Sequence, residues 1–287
     1  MKLSEYDVSK PNTAMLLKSE RITPADAEAE VRHLVLQLPP RRFQYQEGQS
    51  IGVLVPGPHE FGARHHLRLY SIANSRKGEA GRGTSISICV RRCFYIDPIN
   101  GERYPGKASN YLCDAAPGDP IQITGPYGNP WRVPEDETSN LLMIGTGTGI
   151  APFRAFMKHV YEERGGWQGK VRLFYGAKTG MDLLYMNELN KDLSLYYDET
   201  TFKAFQAVSP RPAFDFPPAL EHVLAENSFE VWDMLQDPKT YVYIAGLPEA
   251  AQKFQKAMMI RAGSEGAWFG KMAELVEQKR YAEVIYD

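Results

Sequence analysis

The chain has 287 residues, of which 43% are hydrophobic and 24% charged, and its formal net charge is −2 at pH 7. A chain of this length can supply the interiors of two domains of ordinary size. The balanced charge gives no electrostatic reason to expect nucleic acid or an anionic membrane as the main partner.

The first thirty residues are polar and carry little pattern. Their one apolar run, residues 14–17, is too brief for the apolar region of a signal peptide. No window of the sequence approaches the roughly eighteen apolar residues of a membrane span. We therefore expect a loosely specified N-terminal extension over residues 1–30, and a cytoplasmic protein.

Residues 31–128 have the pattern of strands joined by turns. The turns have the usual chemistry, as at Pro117-Gly-Asp119. The pattern predicts an antiparallel β-barrel. Its predicted strands are residues 32–38, 50–55, 68–73, 85–93 and 121–124.

The cysteines and histidines argue against a disulfide framework and against a metal site. Three cysteines cannot all pair, and none lies in a C-x-x-C motif. Cys89 and Cys93 fall on one face of a predicted strand, so we expect both thiols to be buried. The six histidines include the pair His65-His66, but no H-E-x-x-H motif or Cys/His cluster accompanies them.

Beyond residue 140 the sequence pattern changes to one of alternating strands and helices. This alternation predicts a parallel sheet covered by helices on both faces. Residues 130–139, rich in proline and acids, form the natural linker before it. The predicted strands are residues 141–144, 171–175, 202–208 and 241–245, and the predicted helices are residues 151–164, 183–193, 219–235 and 249–261.

A glycine loop joins the first of these strands to the first helix, in the run MIGTGTGIAPFR at residues 143–154. Gly145, Gly147 and Gly149 let the backbone turn tightly and approach phosphate oxygens, while the amides that open the helix face the anion. Ile150 stands at the third glycine position of G-x-G-x-x-G, and the G-K-[ST] ending of an ATP-binding P-loop is missing. Taken alone, the loop fits either a dinucleotide site or a plain structural turn.

Further motifs run from about residue 30 to the end of the chain, and together they resemble the plant-type ferredoxin–NADP reductase family. They follow the family's order. The motifs are EGQSIGV at 47–53, RLYS at 68–71, CVRR at 89–92, GKAS at 106–109, SNYLCD at 109–114, TGPYG at 124–128, LYMNE at 184–188, AGL at 245–247 and EV at 283–284.

The resemblance implies two domains. Residues 1–136 would form an antiparallel β-barrel that binds FAD, and residues 137–287 a Rossmann-like α/β domain with a parallel sheet that binds NADP(H). The activity implied is electron transfer between NADP(H) and a one-electron carrier. Flavin suits this task because it accepts two electrons together and releases them one at a time.

On the flavin side, strand alternation puts Arg68 and Tyr70 on one face. By resemblance, Arg68 binds the FAD pyrophosphate, Tyr70 packs on the isoalloxazine, and Ser71 hydrogen-bonds the flavin nitrogen that receives the hydride. Tyr95 matches a tyrosine near the FAD adenine, and Arg91 matches a lysine that touches the pyridine nucleotide. The other residues implied in FAD binding are Leu69, Cys89, Gly106, Lys107, Ala108, Ser109, Thr148 and Tyr286.

The segment Gly106-Lys-Ala-Ser109 fits the opening of a short helix whose amides and serine hydroxyl can meet phosphate. The family usually has a cysteine where this chain has Ala108. An amide contact to phosphate would survive that change.

On the nicotinamide side, the resemblance implies contacts from Thr146, Gly147, Gly246 and Leu247. Ser209 and Arg211 follow a predicted strand and match the family's site for the 2′-phosphate of NADP, although Pro210 shifts the arginine by one residue. The basic and tyrosine residues expected near residues 219–223 are replaced by ALEHV. NADP(H) is favoured, and NAD(H) stays open.

The catalytic residues implied are Ser71 and Glu283, the latter matching a carboxylate that relays protons to the serine. Ala245 replaces the family's cysteine beside the nicotinamide, which could slow or reorient hydride transfer. Plant members end in Glu-Val-Tyr, whereas this sequence runs Glu-Val-Ile-Tyr-Asp. In simple register Ile285 takes the flavin-stacking position; Tyr286, the ring we favour, would need a local bulge.

We expect the partner to be an acidic electron carrier, ferredoxin or flavodoxin, bound by a monomer with no nucleic acid involved. One alternative is the reductase component of an oxygenase system such as benzoyl-CoA epoxidase, and another is a flavoprotein without turnover. The candidate basic residues for carrier binding are Arg64, Arg91, Arg92, Lys107 and Lys279.

Overall fold

The computed structural model describes residues 3–39, 43–57, 65–79, 85–129, 131, 133–177, 182–196, 201–208 and 220–286. The chain divides into two compact units, unit 1 (Met1–Trp131) and unit 2 (Arg132–Asp287). The division falls within the stretch 130–139 that the sequence suggests as a linker. Each unit has a sheet and a hydrophobic core of its own.

Unit 1 is an antiparallel barrel, as the alternating pattern predicts. Six strands are bonded in the order β4-β3-β8-β1-β2-β5, and a bridge between Ile72 and Ile88 joins the two outer strands. Its elements are β1 (Asn12–Arg21), β2 (Val31–Gln37), β3 (Ser50–Pro56), β4 (His65–Ser71), β5 (Ser85–Arg91), β6 (Phe94–Ile96), β7 (Arg103–Pro105), α1 (Lys107–Asp114) and β8 (Pro120–Tyr127).

β1 corrects the expectation of a loosely specified extension over residues 1–30. It pairs with β2 along one edge and with β8 along the other. Only Ala14 and Leu16 point into the core, while Met15 and Leu17 are exposed. The apolar pattern is therefore faint, and the strand is specified by pairing with distant segments of the chain.

The core of unit 1 lies inside the barrel. Leu34, Ile86 and Ile88 are fully buried there, and Leu112 and Cys113 of α1 join the same cluster. The inward side chains of α1 thus pack this helix against the barrel.

Unit 2 contains the predicted parallel sheet, with helices on both faces. Among the described residues five strands are bonded in the order β11-β10-β9-β12-β13. The strands are β9 (Asn140–Thr146), β10 (Val171–Ala177), β11 (Phe202–Val208), β12 (Thr240–Gly246) and β13 (Tyr281–Ile285); the helices are α2 (Ile150–Lys158), α3 (Leu220–Glu226), α4 (Ser228–Gln236), α5 (Pro248–Ala262) and α6 (Glu265–Glu277).

The two faces of this sheet pack against different helices. Ile144 and Ile244 belong to one core cluster with Phe254 of α5 and Trp268 of α6. On the other face, Tyr243 packs against Phe156 of α2, with ring centroids 4.8 Å apart. From β9 the chain builds outward through β10 and β11, and then returns to add β12 on the other side of β9.

The prediction of a helix over residues 183–193 is wrong. This segment forms turns, in which Tyr185 has a φ of 60° and the Asn187 side chain accepts hydrogen bonds from the amides of Leu189 and Asn190. Leucine, methionine and glutamate favour a helix, but the asparagine side chain binds the nearby backbone instead.

Two further helices differ from the sequence pattern. The helix predicted over residues 219–235 is divided at Asn227 into α3 and α4, and the Asn227 side chain donates to the Val223 carbonyl, 2.8 Å away. Helix α6 was not predicted at all. It begins after Ser264, whose hydroxyl accepts from the Ala267 amide in an N-cap.

The end of the linker stretch is packed into unit 2. The Trp167 indole donates to the Ser139 carbonyl at 2.7 Å, and the Gly169 amide donates to the Glu137 carbonyl at 2.9 Å. A Cβ at Gly169 would lie 1.9 Å from the Ser139 oxygen. Only glycine allows the backbone to approach this closely.

We therefore expect Gly169→Ala to lower the free energy of unfolding of unit 2 by about 2 kcal/mol or more. Gly270→Ala is the matched control, since Gly270 lies in α6 and a Cβ there meets no described atom within 4 Å. It should raise stability by about 0.5–1 kcal/mol through helix propensity. Urea unfolding would measure both variants, and equal midpoints would contradict the prediction.

Candidate functional site

The glycine loop of unit 2 joins β9 to α2 in the manner expected from the sequence. Residues Gly147–Gly149 form a tight turn that continues directly into α2, and Gly147 has a φ of 53°. The Tyr175 hydroxyl holds the turn by donating to the Gly147 carbonyl at 2.8 Å. No side chain of the described residues caps this helical start at Thr146, so its first amides can meet an anion.

A second loop, at the end of β12, packs against the first with backbone against backbone. A Cβ on Gly149 would lie 2.3 Å from the Ala245 oxygen, and a Cβ on Gly246 would lie 2.6 Å from Thr146 Oγ1. The Leu247 amide donates to the same threonine oxygen at 3.4 Å. The carboxyl ends of β9 and β12 flank the topological switch of the sheet, where open α/β sheets bind ligands.

The C-terminal strand borders this loop. The register of β12 and β13 pairs Ala245 with Val284 and Gly246 with Ile285, without a shift, and the Tyr286 amide donates to the Gly246 carbonyl at 2.9 Å. Ile285 packs against the core of unit 2. The described strand thus has no bulge up to Ile285, and stacking by Tyr286 stays a prediction.

Glu283 is exposed, and the Tyr281 hydroxyl donates to its carboxylate at 3.3 Å. Burial, and next the charge of Glu283, raise the pKa of Tyr281, so this phenol stays a hydrogen-bond donor at neutral pH. Sequence reasoning missed Tyr281. The sequence pattern did not predict β13, and it is the i, i+2 spacing on this strand that brings Tyr281 to the side of Glu283.

Some of the predicted nucleotide contacts fall outside the described residues. Ser209 and Arg211 lie in the stretch 209–219, which the structure does not describe. The choice between NADP and NAD therefore stays a prediction.

In unit 1, Arg68 and Tyr70 lie along β4. They pair with Val53 and Ile51 of β3, and Arg68 is exposed while Tyr70 is half-buried against the barrel core. Burial, followed by the nearby thiols of Cys93 and Cys113, raises the pKa of Tyr70, so the ring stays neutral. Leu69, between them, points to the opposite face of the strand.

Ser71 is the buried end of β4, only 5% exposed. It pairs with Ser50 of β3, and the two hydroxyl oxygens are 3.5 Å apart. Ser50 belongs to the EGQSIGV motif, yet sequence reasoning gave it no role. The pairing places a second hydroxyl beside the predicted catalytic one.

Helix α1 opens with Gly106 as its N-cap, and among the described residues no side chain caps it. The Gly106 amide donates to the Cys93 carbonyl at 2.9 Å. The Ser109 hydroxyl accepts from the Cys93 amide at 3.1 Å and donates to the Gly106 carbonyl at 3.3 Å. Because that hydroxyl is already engaged, the amides of the first turn, at Lys107, Ala108 and Ser109, are the groups best suited to a phosphate.

A small hairpin, β6 with β7, lies directly before α1. It pairs Tyr95 with Tyr104 across the strands, and the rings are 58% and 44% exposed. On the other face, the Arg103 guanidinium covers the Phe94 ring at 3.5 Å from its centroid. Two exposed rings side by side fit a flat heterocycle such as adenine. Sequence reasoning named Tyr95 and missed Tyr104.

The expectation of two buried thiols at Cys89 and Cys93 is wrong for Cys93. Cys89 and Cys113 are buried, but Cys93 is exposed, because β5 ends at Arg91 and the pleat does not extend to it. Burial raises the pKa of Cys113 to about 12, so this thiol is unreactive at neutral pH.

The basic residues proposed for carrier binding do not share one environment. Arg91, Lys107 and Lys279 are exposed, and Arg64 lies outside the described residues. Lys279 precedes β13 and so lies at the amino edge of the parallel sheet, opposite the glycine loop.

Arg92 is turned inward instead. It forms ion pairs with Glu30 at 2.7 Å and Asp114 at 2.8 Å, and these bonds raise its pKa. Burial opposes the ionisation of Glu30, but hydrogen bonds from Arg92 and Arg32 outweigh it and lower the pKa of Glu30. With its charge compensated twice, Arg92 is poorly suited to steer a carrier.

No group of three or more His, Cys, Asp or Glu residues in the described parts of the chain could hold a metal ion. No helix described in the structure is long and apolar enough to span a membrane.

Comparisons with known proteins agree with this geometry. Residues 143–256 match the family model of the oxidoreductase NAD-binding domain. The cyanelle ferredoxin–NADP reductase of Cyanophora paradoxa is 36% identical over 99% of this chain and 79% of that protein. The ferredoxin–NADP reductase of Spirulina sp is 33% identical over 98% and 97%.

Among solved structures, the ferredoxin-NADP+ reductase of Plasmodium falciparum superposes with a TM-score of 0.74 at 21% identity, covering 98% of each chain. The barrel and the switch-point loops thus define an oxidoreductase with a nicotinamide nucleotide-binding domain. At this level of similarity across nearly its whole length, the chain belongs to the plant-type ferredoxin–NADP reductase family of flavoproteins.

We expect Gly149→Ala to weaken nucleotide binding by at least about tenfold, because its Cβ would push apart the two backbone loops at the switch point. Gly270→Ala is the control, since Gly270 lies in α6, outside both loops, and a Cβ there meets no described atom within 4 Å. Equilibrium titration with NADP+ would measure both. Equal affinities of the two variants would contradict the close-approach argument.

Proposed function

We propose that the protein is an FAD-dependent reductase that transfers electrons between NADP(H) and a one-electron carrier, ferredoxin or flavodoxin. The observation that carries the proposal is the presence, in one chain, of an uncapped α1 beside the Arg68–Tyr70 strand and of the paired glycine loops at β9 and β12. The curated relatives bear the name ferredoxin–NADP reductase.

The residues of unit 1 fit FAD. Arg68 is exposed, as a guanidinium clamp for a pyrophosphate requires, and the opening of α1 offers further donors. Tyr70 would cover the isoalloxazine as a neutral ring, and Tyr95 would cover the adenine. FAD, when bound, supplies acceptance of a hydride and release of single electrons.

Ser71 would donate a hydrogen bond to the flavin nitrogen that takes up the hydride. Its burial at the end of β4 and its neighbour Ser50, 3.5 Å away, restrict its hydroxyl to few orientations. Glu283 would hold and exchange a proton at its carboxylate, where the Tyr281 hydroxyl already donates. A fixed donor contributes to the reaction without reorganisation cost.

In unit 2, the amide at Gly147 would meet the nucleotide pyrophosphate, and Thr146, Gly246 and Leu247 would border the nicotinamide. Ala245 is fully buried. It places a methyl group in this part of the site, where the family usually has the thiol of a cysteine. Ser209 and Arg211 would pair with the 2′-phosphate of NADP.

Anaerobic titration with NADPH and NADH in parallel, followed by bleaching of the flavin absorbance, tests the proposal. We expect NADPH to bleach the flavin at far lower concentration than NADH. Preference for NADH would favour instead the reductase component of an oxygenase system, and a protein that neither nucleotide bleaches would refute the reductase.

The dependence of the rate of carrier reduction on ionic strength tests whether the carrier is acidic. An acidic carrier attracted to Arg91 and Lys107 should be reduced more slowly as salt rises from low to physiological strength, because screening weakens steering. Reduction of an uncharged quinone by the same enzyme should not change, and serves as the control. Carrier reduction that is insensitive to salt would argue against an acidic partner.

A further inference from the structure

Five side chains form a polar cluster between the barrel and α1, named here the Arg92 cluster: Glu30, Arg32, Arg92, Asn110 and Asp114. Arg92 donates from all three of its guanidinium nitrogens. Nε bonds Glu30 at 2.7 Å, one terminal nitrogen bonds Asn110 Oδ1 at 2.9 Å, and the other bonds Asp114 Oδ1 at 2.8 Å. A planar guanidinium with three partners has one orientation.

The partners lie on separate segments of the chain. Asn110 and Asp114 are one turn apart on the same side of α1, whereas Glu30 comes directly before β2. A backbone hydrogen bond also joins Arg92 to Glu30, since the Arg92 amide donates to the Glu30 carbonyl at 2.9 Å. Arg92, with a side chain only 18% exposed, therefore ties the flank of α1 to the strands of the barrel.

The same cluster reaches the opening of α1. The Asn110 side-chain amide, whose oxygen is held by Arg92, donates to the carbonyls of Cys93 and Gly106, each at 2.9 Å. Gly106 is the N-cap whose following amides lack a side-chain cap among the described residues. A continuous chain of hydrogen bonds thus connects Arg92 to the first turn of the helix.

We propose that Arg92 is a positioning residue for the flavin phosphates, which fixes α1 so that its first-turn amides face the pyrophosphate. This inference rests on the proposed binding of FAD at α1. Arg92 touches neither flavin nor substrate in this role. It acts through Asn110 and the helix backbone, and so determines affinity for the phosphate-bearing part of the cofactor.

Arg32 provides a matched control. It bonds the same Glu30 carboxylate, at 2.5 Å, but it also donates to the Ser19 hydroxyl of β1, at 3.3 Å, rather than to a residue of α1. Arg32→Gln and Arg92→Gln therefore both remove a cation from Glu30. Only Arg92→Gln also removes the hydrogen bonds to Asn110 and Asp114 of α1.

The experiment is a titration of the flavin-stripped full chain with FAD and with riboflavin, which lacks phosphate, followed by quenching of flavin fluorescence. We expect Arg92→Gln to weaken FAD binding by about tenfold, which is about 1.4 kcal/mol, and to leave riboflavin binding within about twofold. Arg32→Gln should change neither. Equal losses for both flavins, or equal losses in the two variants, would overturn the proposal.

A milder variant keeps the test informative if Arg92→Gln folds poorly. Asp114 is 68% exposed, so Asp114→Asn should preserve the fold, and it should weaken FAD binding about twofold to fivefold without changing riboflavin binding. Unchanged FAD affinity in a well-folded Asp114→Asn would count against the positioning role. A wild-type chain that binds no flavin would overturn both the proposed function and this inference, whereas normal FAD binding by Arg92→Gln would overturn the inference alone.

Discussion

Two helical starts, one in each unit, receive no side-chain bond from their N-cap residues, and the proposed phosphate contacts of each unit depend on them. The N-cap residues of α4 and α5 likewise give no side-chain bond, whereas α6 has a cap from Ser264, whose hydroxyl accepts from a first-turn amide. Helix α1 begins at Gly106, and the helical run into α2 begins at Thr146, and neither has such a cap among the described residues. The cost of open amides is recovered when an anion binds them.

The two units hold these helix starts in place by different means. In unit 1 the support is polar: Ser109, Asn110 and Arg92 connect α1 to the ends of neighbouring strands through side-chain hydrogen bonds. In unit 2 the support is steric, since Gly149 and Gly246 bring two backbones into contact where any larger residue would collide. Substitution of a single charged side chain can change the polar support of α1, whereas the backbone contact in unit 2 allows little variation in sequence at Gly149 and Gly246.

The local parts of this architecture could be read from the sequence. The glycine loop and the RLYS strand carry their information within a dozen residues, and the structure places both as expected. The misses have nonlocal causes. β1 offers only Ala14 and Leu16 to the core and is defined by pairing with distant strands, and the turns near Asn187 arise because a side chain outcompetes helix propensity. Tyr104 was missed and Arg92 was assigned to carrier binding, because only strand pairing and the packing of α1 bring them beside Tyr95 and Asp114.

The position of β1 has a consequence for how the chain folds during synthesis. β1 lies between β2 and β8, and the Gln122 side chain donates to Thr13 across 109 residues of sequence. β3 also needs β8 as its neighbour. The nascent barrel therefore cannot close until β8 has left the ribosome. Until then, the edges of β1 and β3 that pair with β8 stay unpaired. Such long-range closure is slow compared with helix formation. Unit 1 is translated first, and its completion is delayed until its last strand emerges.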